Sequence, residues 1–179
     1  YKQADLSLDY TKRISHKRFD GTSLKPAVQF FINGKIIAFA TYYDREKDIN
    51  FAYAELLDDH ATVTRAWTEV ARINADKKSN RGSFYFKMSQ DSTQILIVAN
   101  PPYEKYADEK FTMQLIDENL NAIWKNDVSP PYKDKYFSLE NYTITDSGYV
   151  YMLATIAEDE SGMSMKERRK TPTYYHSAL

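Results

Sequence analysis

The chain has 179 residues, of which 42% are hydrophobic and 15% aromatic, so it carries enough apolar side chains to bury a core. Lys and Arg number 24 and Asp and Glu 25, and this net charge of −1 offers no bulk attraction for nucleic acid. No apolar run approaches the roughly 18 residues that a membrane-spanning helix needs. The absence of cysteine excludes disulfides and thiolate sites. We therefore expect a folded domain that neither binds nucleic acid nor inserts into a membrane.

An apolar strand recurs about every 55 to 60 residues, as repeat architectures require. Its copies are residues 36–41, 95–100 and 150–155. Each follows a turn-forming segment, namely Asn33-Gly34, Asp91-Ser92 or Asp146-Ser147-Gly148. A repeat of about four short strands is typical of a propeller blade. The sequence therefore predicts an all-β protein, a single β-propeller segment of about three consecutive four-stranded antiparallel blades.

The predicted elements begin inside a blade, because residues 4–8 and 13–19 resemble the end of a repeat. We assign residues 1–23 to the end of a preceding blade, 24–73 and 83–131 to two full blades, and 136–179 to the start of a further blade. In the first full blade the predicted strands cover 28–32, 35–43, 49–57 and 62–70, and a crossover follows at 74–82. In the second blade they cover 84–88, 95–99, 111–116 and 121–128.

The third blade is predicted to start with residues 142–144 and 149–156. A polar stretch at 158–170 follows, with a basic cluster balanced by acids, and it predicts a long solvated loop. Residues 174–179 have the character of a beginning strand. The chain starts at Tyr1 without an initiator methionine, and from both ends we expect it to be a piece of a longer protein.

Alternation at period 2 predicts which strand residues are buried. The charged segments 44–48 and 76–81 are predicted to be exposed. Small residues recur in the second strand, at Ala40, Ala99 and Ala154, where they would let neighbouring sheets approach closely. The residues predicted to face the core are Val28, Phe30, Ile32, Phe84, Phe86, Met88 and Ile144.

No residue pattern predicts a catalytic or metal site. The three histidines, His16, His60 and His176, lie far apart in sequence. Paired acids at 58–59 and 117–118 are better explained as turn formers than as glycosidase carboxylates, and Asp91 as the start of an Asx turn rather than a calcium ligand. We predict no cofactor and no metal.

Aromatic residues at the ends of the second strands are the candidates for binding. Most aromatic residues lie in strands, and the Phe and Trp residues in the apolar phase are predicted to be core. Four tyrosines instead lie at the ends of second strands beside proline or charged residues, where they could converge on one rim of the propeller. These candidate binding residues are Tyr42, Tyr43, Pro101, Tyr103 and Tyr106.

Residues 88–97, Met-Ser-Gln-Asp-Ser-Thr-Gln-Ile-Leu-Ile, resemble the Ser-Pro-Asp-Gly turn and apolar strand of TolB-type, WD-like propeller repeats, with Gln90 in place of Pro and Ser92 in place of Gly. The wider pattern, with its motifs at 33–35, 42–44, 101–105 and 127–132, is similar to propeller-type envelope proteins of Bacteroidetes-like bacteria. It covers most of residues 24–179. The resemblance implies a propeller fold and a periplasmic or cell-surface location, and it transfers no catalytic residue.

Two classes of function follow from these observations. The first is a non-enzymatic binding or scaffold propeller of the cell envelope that engages a protein, a peptide or a glycan through its rim loops, and that requires the rest of its parent propeller. The alternative is part of a propeller-based glycan- or peptide-cleaving enzyme whose catalytic residues lie outside this segment. Fold alone does not choose between them.

Overall fold

A computed structural model describes residues 11–18 and 20–156, together with the backbone of a strand at 174–178. These residues form three antiparallel sheets in chain order. Apart from one short 3-10 turn at Asp134–Tyr136, the described part contains no helix. The predicted all-β class, with four-stranded antiparallel sheets, is confirmed.

The first sheet is built from four consecutive strands in the order β1-β2-β3-β4. Asn33 and Gly34 join β1 to β2 with φ of 47° and 75°, the two positive values that a two-residue hairpin turn requires and that Asn-Gly adopts readily. The observed bounds agree with the predicted ones within a few residues. The strands are β1 (Lys25–Ile32), β2 (Lys35–Asp44), β3 (Ile49–Asp58) and β4 (Val63–Asn74).

The second sheet repeats this meander in the order β5-β6-β7-β8. Its strands are β5 (Ser83–Met88), β6 (Gln94–Asn100), β7 (Phe111–Asp117) and β8 (Ala122–Val128). The third sheet has three strands in the order β11-β10-β9, so that β10 is central. They are β9 (Phe137–Ile144), β10 (Val150–Ile156) and β11 (Tyr174–Ala178). The third sheet thus begins a few residues before its predicted first strand.

The N-terminal segment is described over residues 11–18, where it forms no regular strand. An isolated bridge joins Lys17 of this segment to Ser23. This segment nevertheless covers the first sheet, since Ile14 and Leu24 pack with Tyr53 and Trp67. Residues 4–8, which are predicted to match the end of a repeat, and the predicted loop at 158–170 lie outside the described residues.

The second strand of each of the first two sheets is buried on both faces. Ile37 and Phe39 of β2 share a core cluster with Ile95 and Ile97 of β6, which joins the first sheet to the second. Covering both faces explains why these strands are almost continuously apolar. The small residues predicted to ease close packing, Ala40, Ala99 and Ala154, are buried as well.

The second sheet is joined to the third by its opposite face. Leu96 and Val98 of β6 share a separate cluster with Ile144, and Val150 and Met152 of β10 pack against it. The sheets therefore follow one another as a stack in chain order, and within the described residues they do not close on one another.

The residues of the first strands that are predicted to face the core do so, but they are buried to different extents. Ile32 and Ile144 are fully buried, whereas the other predicted core residues are partly buried because β1 and β5 are edge strands. The alternate residues Phe31 and Tyr85 are exposed, as the alternation requires. Of the charged segments, residues 45–48 and 76–79 are exposed and Asp44, Asn80 and Arg81 are partly buried.

The two alternating runs face the same interface from opposite sides. Phe30 lies opposite Ile37 on the face towards the second sheet, whereas Phe86 lies opposite Ile97 on the face towards the first sheet. This difference in facing arises because the two hairpins close at different positions. Ile32 closes the first hairpin two residues after Phe30, whereas Ser89 closes the second three residues after Phe86, so alternation places the two rings on opposite faces of their sheets. Aromatic rings consequently concentrate between these two sheets, with the Phe39 and Phe86 centroids 4.4 Å apart.

Candidate binding site

The connection between β6 and β7, residues 101–110, lacks regular structure but is held by its neighbours. Asn80, in the crossover from the first sheet, exchanges two hydrogen bonds with the Tyr103 backbone: its Nδ2 donates to the Tyr103 oxygen at 3.2 Å, and its Oδ1 accepts the Tyr103 N–H at 3.1 Å. On the other side, Asp134 Oδ2 accepts the Glu104 N–H at 2.6 Å. This 101–110 loop is therefore fixed from both flanking connections.

Backbone hydrogen bonds anchor the far end of the same loop. The Glu109 N–H donates to the Tyr132 oxygen at 2.8 Å, and the Asp134 N–H donates to the Ala107 oxygen at 3.1 Å. Lys133 pairs with Asp108, with 2.5 Å between Nζ and Oδ1. A loop whose backbone donors and acceptors are met in this way holds its exposed side chains in place.

A cleft of about 740 Å³ opens between the end of β4 and the adjacent ends of the second sheet. Its apolar residues include Ile73, Ala99 and Phe111, all of which are buried. Polar groups surround them, and Thr112 Oγ1 donates to Asp127 Oδ1 at 2.6 Å within the cleft lining. An apolar floor with a few polar groups is the usual composition of ligand pockets, which measure roughly 300–1,000 Å³.

Charges of both signs border this cleft. Arg72 is engaged by Glu69, with 2.6 Å between Nε and Oε1, and its guanidinium lies 5.5 Å from the centre of the Phe51 ring. Lys110, Asp76 and Glu104 are exposed at the edge. No single sign dominates, so the cleft offers directional hydrogen bonds rather than a strong field for a highly charged ligand.

The predicted binding residues are divided between neighbouring depressions. Pro101 and Tyr103 line the main cleft, and Tyr103 is 54% exposed. Tyr42 and Tyr43 line a second depression of about 530 Å³ together with Lys78 and Arg81. The crossover residues 78–81 thus stand between the two pairs of candidates, because Lys78 and Arg81 also border a depression of about 510 Å³ beside Pro101 and Tyr103.

The remaining contacts of these aromatic residues distinguish them further. Tyr42 packs against the buried cluster that includes Phe51 and Tyr53. The Tyr43 hydroxyl donates to Asp48 Oδ1 at 2.5 Å, and this bond raises the pKa of Tyr43. Tyr106 is 71% exposed and lies outside these depressions, with the Lys105 and Lys135 ammonium groups 5.1 and 5.3 Å from its ring centre. Tyr103 is therefore the candidate that best combines exposure with a fixed backbone.

Glu109 is a buried acid that no sequence pattern singles out. It is only 7% exposed and lines a small cavity of about 110 Å³ under the 101–110 loop, together with Asp134. Burial, and then the neighbouring Asp134 carboxyl group, raise the pKa of Glu109 to about 7. In sequence Glu109 stands between Asp108 and Lys110 in a polar segment, so nothing distinguishes it from exposed neighbours.

The paired acids are turn formers, as predicted. Asp58 Oδ1 accepts the backbone N–H groups of His60 and Thr62, and Asp117 Oδ1 accepts those of Asn119 and Asn121. Hydrogen bonds from Thr62 and His60 lower the pKa of Asp58.

Asp58, Asp59 and His60 offer ligand atoms within 4.8 Å of one another, but the Asp58 carboxylate is committed to its turn and the other two are exposed. Asp91 likewise accepts the Thr93 N–H at 3.1 Å, which confirms the Asx turn.

Comparisons with protein-family models, curated proteins and solved structures found no match to this chain. A search of the described residues for a helix long and apolar enough to cross a bilayer also found none. The geometry of the cleft is therefore the basis for assigning a function.

Proposed function

We propose that this chain is a segment of a β-propeller and acts as a non-enzymatic binding or scaffold module, which engages a peptide, a protein or a glycan at the cleft beside Pro101 and Tyr103. One observation carries the proposal. Tyr103 is more than half exposed at a large cleft, yet its backbone N–H and oxygen are both bonded to Asn80. A fixed, exposed aromatic residue loses little conformational entropy on binding, which favours affinity.

The stacking of the sheets supports the propeller architecture. Each sheet is a meander of consecutive antiparallel strands, and the second strands pack the first sheet on the second and the second on the third. Propeller blades are four-stranded sheets arranged in this sequential way. In such an arrangement the loops at one end of neighbouring blades form a common surface, and in this proposal the cleft is part of that surface. The cell-envelope location remains a prediction from the sequence resemblance.

The chemistry of the cleft fits a neutral or weakly charged ligand with an apolar face. Tyr103 and Pro101 provide flat apolar surface, against which a sugar ring or a proline-containing peptide can pack. Asn74 and Asp127 add an amide and a carboxylate that can bond hydroxyl or peptide N–H groups. The mixed charge around the edge disfavours polyphosphates and other strong polyanions.

The test is a comparison of Tyr103→Ala with Tyr149→Ala. Both residues are exposed tyrosines, but Tyr149 precedes β10 in the third sheet and is absent from the lining of the cleft. Intrinsic fluorescence titrations would use oligosaccharides of bacterial envelope glycans and proline-containing peptides, and capture from an envelope extract would follow. We expect Tyr103→Ala to weaken binding by at least about tenfold, as truncation of an aromatic anchor does, and Tyr149→Ala to leave it unchanged.

Two results would contradict this proposal. Equal binding by both variants would move the site away from the cleft. Turnover of a polysaccharide or peptide substrate, abolished by Tyr103→Ala without loss of folding, would favour the enzyme alternative. Thermal melting of each variant checks that neither substitution unfolds the domain.

A further inference from the structure

In the first two sheets the second strand presents alternate residues to the following sheet, and these residues are completely covered. Ile37 and Phe39 of β2 face the second sheet, and Leu96 and Val98 of β6 face the third. All four are at most 1% exposed. This face of the second strand is therefore the site of sheet-to-sheet packing in both described interfaces.

The corresponding residues of β10 are Tyr151 and Leu153. The first apolar residue of each second strand points away from the following sheet: Ile36 packs in the cluster that contains Ile14 and Leu24, Ile95 faces the first sheet and Val150 faces the second. The next residue along each strand points the opposite way. Val150 and Met152 accordingly pack against the second sheet. Tyr151 and Leu153 point the other way and are 44% and 41% exposed.

Neighbouring strands extend this exposed surface. Thr143 of β9 lies opposite Tyr151, and Asn141 lies opposite Leu153. Both are exposed and uncharged. Tyr149, at the turn before β10, adds another exposed ring at 69%. The backbone of β10 is paired on both sides, with β9 and β11, so that only the side-chain face is open to a partner.

We propose that this face, formed by Thr143, Tyr149, Tyr151 and Leu153, is the packing surface for a further antiparallel sheet of the same repeat. That sheet would place aliphatic residues of its own second strand against Tyr151 and Leu153, as Ile95 and Ile97 are placed against the first sheet. The proposal continues an interface that the chain already forms twice. It depends neither on the ligand cleft nor on closure of the sheets into a ring.

A second copy of this chain is a poorer occupant. In both described interfaces, the covering surface is the face of a second strand that points towards the preceding sheet. That face carries Ile95 and Ile97 in β6, and Val150 and Met152 in β10. Those faces are already packed within the chain. A second copy could offer the same exposed Tyr151 and Leu153, whereas a further sheet of the repeat offers the aliphatic face that this position meets elsewhere.

Because the chain contains no cysteine, a single introduced thiol reports the exposure of this face cleanly. The reporters are Leu153→Cys and Thr143→Cys, the buried comparator is Val98→Cys, and the exposed comparator is Tyr106→Cys. The measurement is the rate of maleimide labelling. In residues 1–179 alone, we expect both reporters to be labelled at the rate of Tyr106→Cys.

The same variants are then labelled in the polypeptide as its source cell makes it. There we expect both reporters to be labelled about 100-fold more slowly than Tyr106→Cys, at a rate near that of Val98→Cys. Labelling would be slow because it requires the sheet interface to open. Fast labelling there would overturn the proposal. So would protection that appears in residues 1–179 alone as their concentration is raised, since that result would identify a second copy as the occupant. Thermal melting confirms folding, and two reporters on one face guard against failure of either variant.

Discussion

Gly82 lies against the backbone of Asn100 so closely that a Cβ atom at residue 82 would be 2.4 Å from the Asn100 carbonyl oxygen. Gly82 also has φ of +71°, which side-chain-bearing residues rarely adopt. This contact brings the end of the crossover against the end of β6, next to Pro101. The position of the 101–110 loop therefore depends on a glycine in a different sheet connection.

We expect Gly82→Ala to lower the free energy of unfolding by about 2 kcal/mol or more, because strain at positive φ is added to a clash with backbone atoms. Gly21→Ala is the matched control, since Gly21 has φ of +82° and a Cβ atom added there would meet nothing within 4 Å. That control should cost only the conformational strain, about 1 kcal/mol. Urea denaturation of both variants measures the difference. Equal losses would show that the close approach to Asn100 is not tight in solution.

The interface between the first two sheets predicts a contrast between adjacent residues of β5. Phe86 packs against the first core cluster, with its ring 4.4 Å from Phe39, whereas Tyr85 is 47% exposed on the other face. Phe86→Ala should cost about 3 kcal/mol, as truncation of core aromatics does, and Tyr85→Ala about 1 kcal/mol or less. Unfolding curves give both values. The reverse order would mean that β5 is shifted by one residue.

The turn between β7 and β8 depends on one carboxylate. Asp117 Oδ1 accepts two backbone N–H groups, from Asn119 and Asn121 at 2.9 and 2.8 Å. Asp117→Ala removes the oxygen that accepts both bonds and should destabilise the domain by about 1–2 kcal/mol. Asp117→Asn keeps an acceptor oxygen and should recover most of that loss. If Asp117→Ala melted at the temperature of the parent, the turn bonds would contribute nothing measurable.

The Glu109 carboxyl group makes stability depend on pH. Its pKa is raised to about 7 in the folded protein, above the ordinary glutamate value of 4.5, so the folded state binds the proton more tightly than the unfolded state. Stability should therefore fall as pH rises from about 4.5 to about 7, and the penalty should persist above that range. Glu109→Gln removes this contribution.

The comparison is made by urea denaturation at pH 5 and pH 8. The difference in stability between Glu109→Gln and the parent should be larger at pH 8. Burial also raises the pKa of Glu55, which acts in the same direction, so the difference between variant and parent, rather than the parent alone, isolates Glu109. A difference independent of pH would show that the pKa of Glu109 is the same in the folded and unfolded states.

Local structure was largely predictable from the sequence. Strands β2 and β6 follow from apolar runs of β-forming residues, and the hairpin before β2 follows from Asn33-Gly34, which readily adopts the required positive φ values. The turn roles of Asp58 and Asp117 were predictable for the same reason. Each depends on atoms within a few residues of one another, so the chemistry of the segment is sufficient to specify it.

The candidate site was predictable only in part. Sequence reasoning selected aromatic residues at strand ends, and Tyr103 does lie at a cleft. It grouped Tyr42 and Tyr43 with Tyr103, whereas the crossover residues 78–81 separate the two depressions that they line. Glu109 was missed because its burial results from Asp134 and the loop above it, and Asp134 belongs to a different connection of the chain.

The sequence by itself determined the strands, their turns and the two faces of each strand, because alternation and turn chemistry are short-range properties. Only the tertiary structure decided which neighbour covers each face. Phe30 and Phe86 lie in similar alternating runs, yet they approach one interface from opposite sides, because Ile32 closes one hairpin and Ser89 the other. The cleft, the burial of Glu109 and the exposed face at Leu153 likewise arise from contacts between segments distant in sequence, which no local pattern encodes.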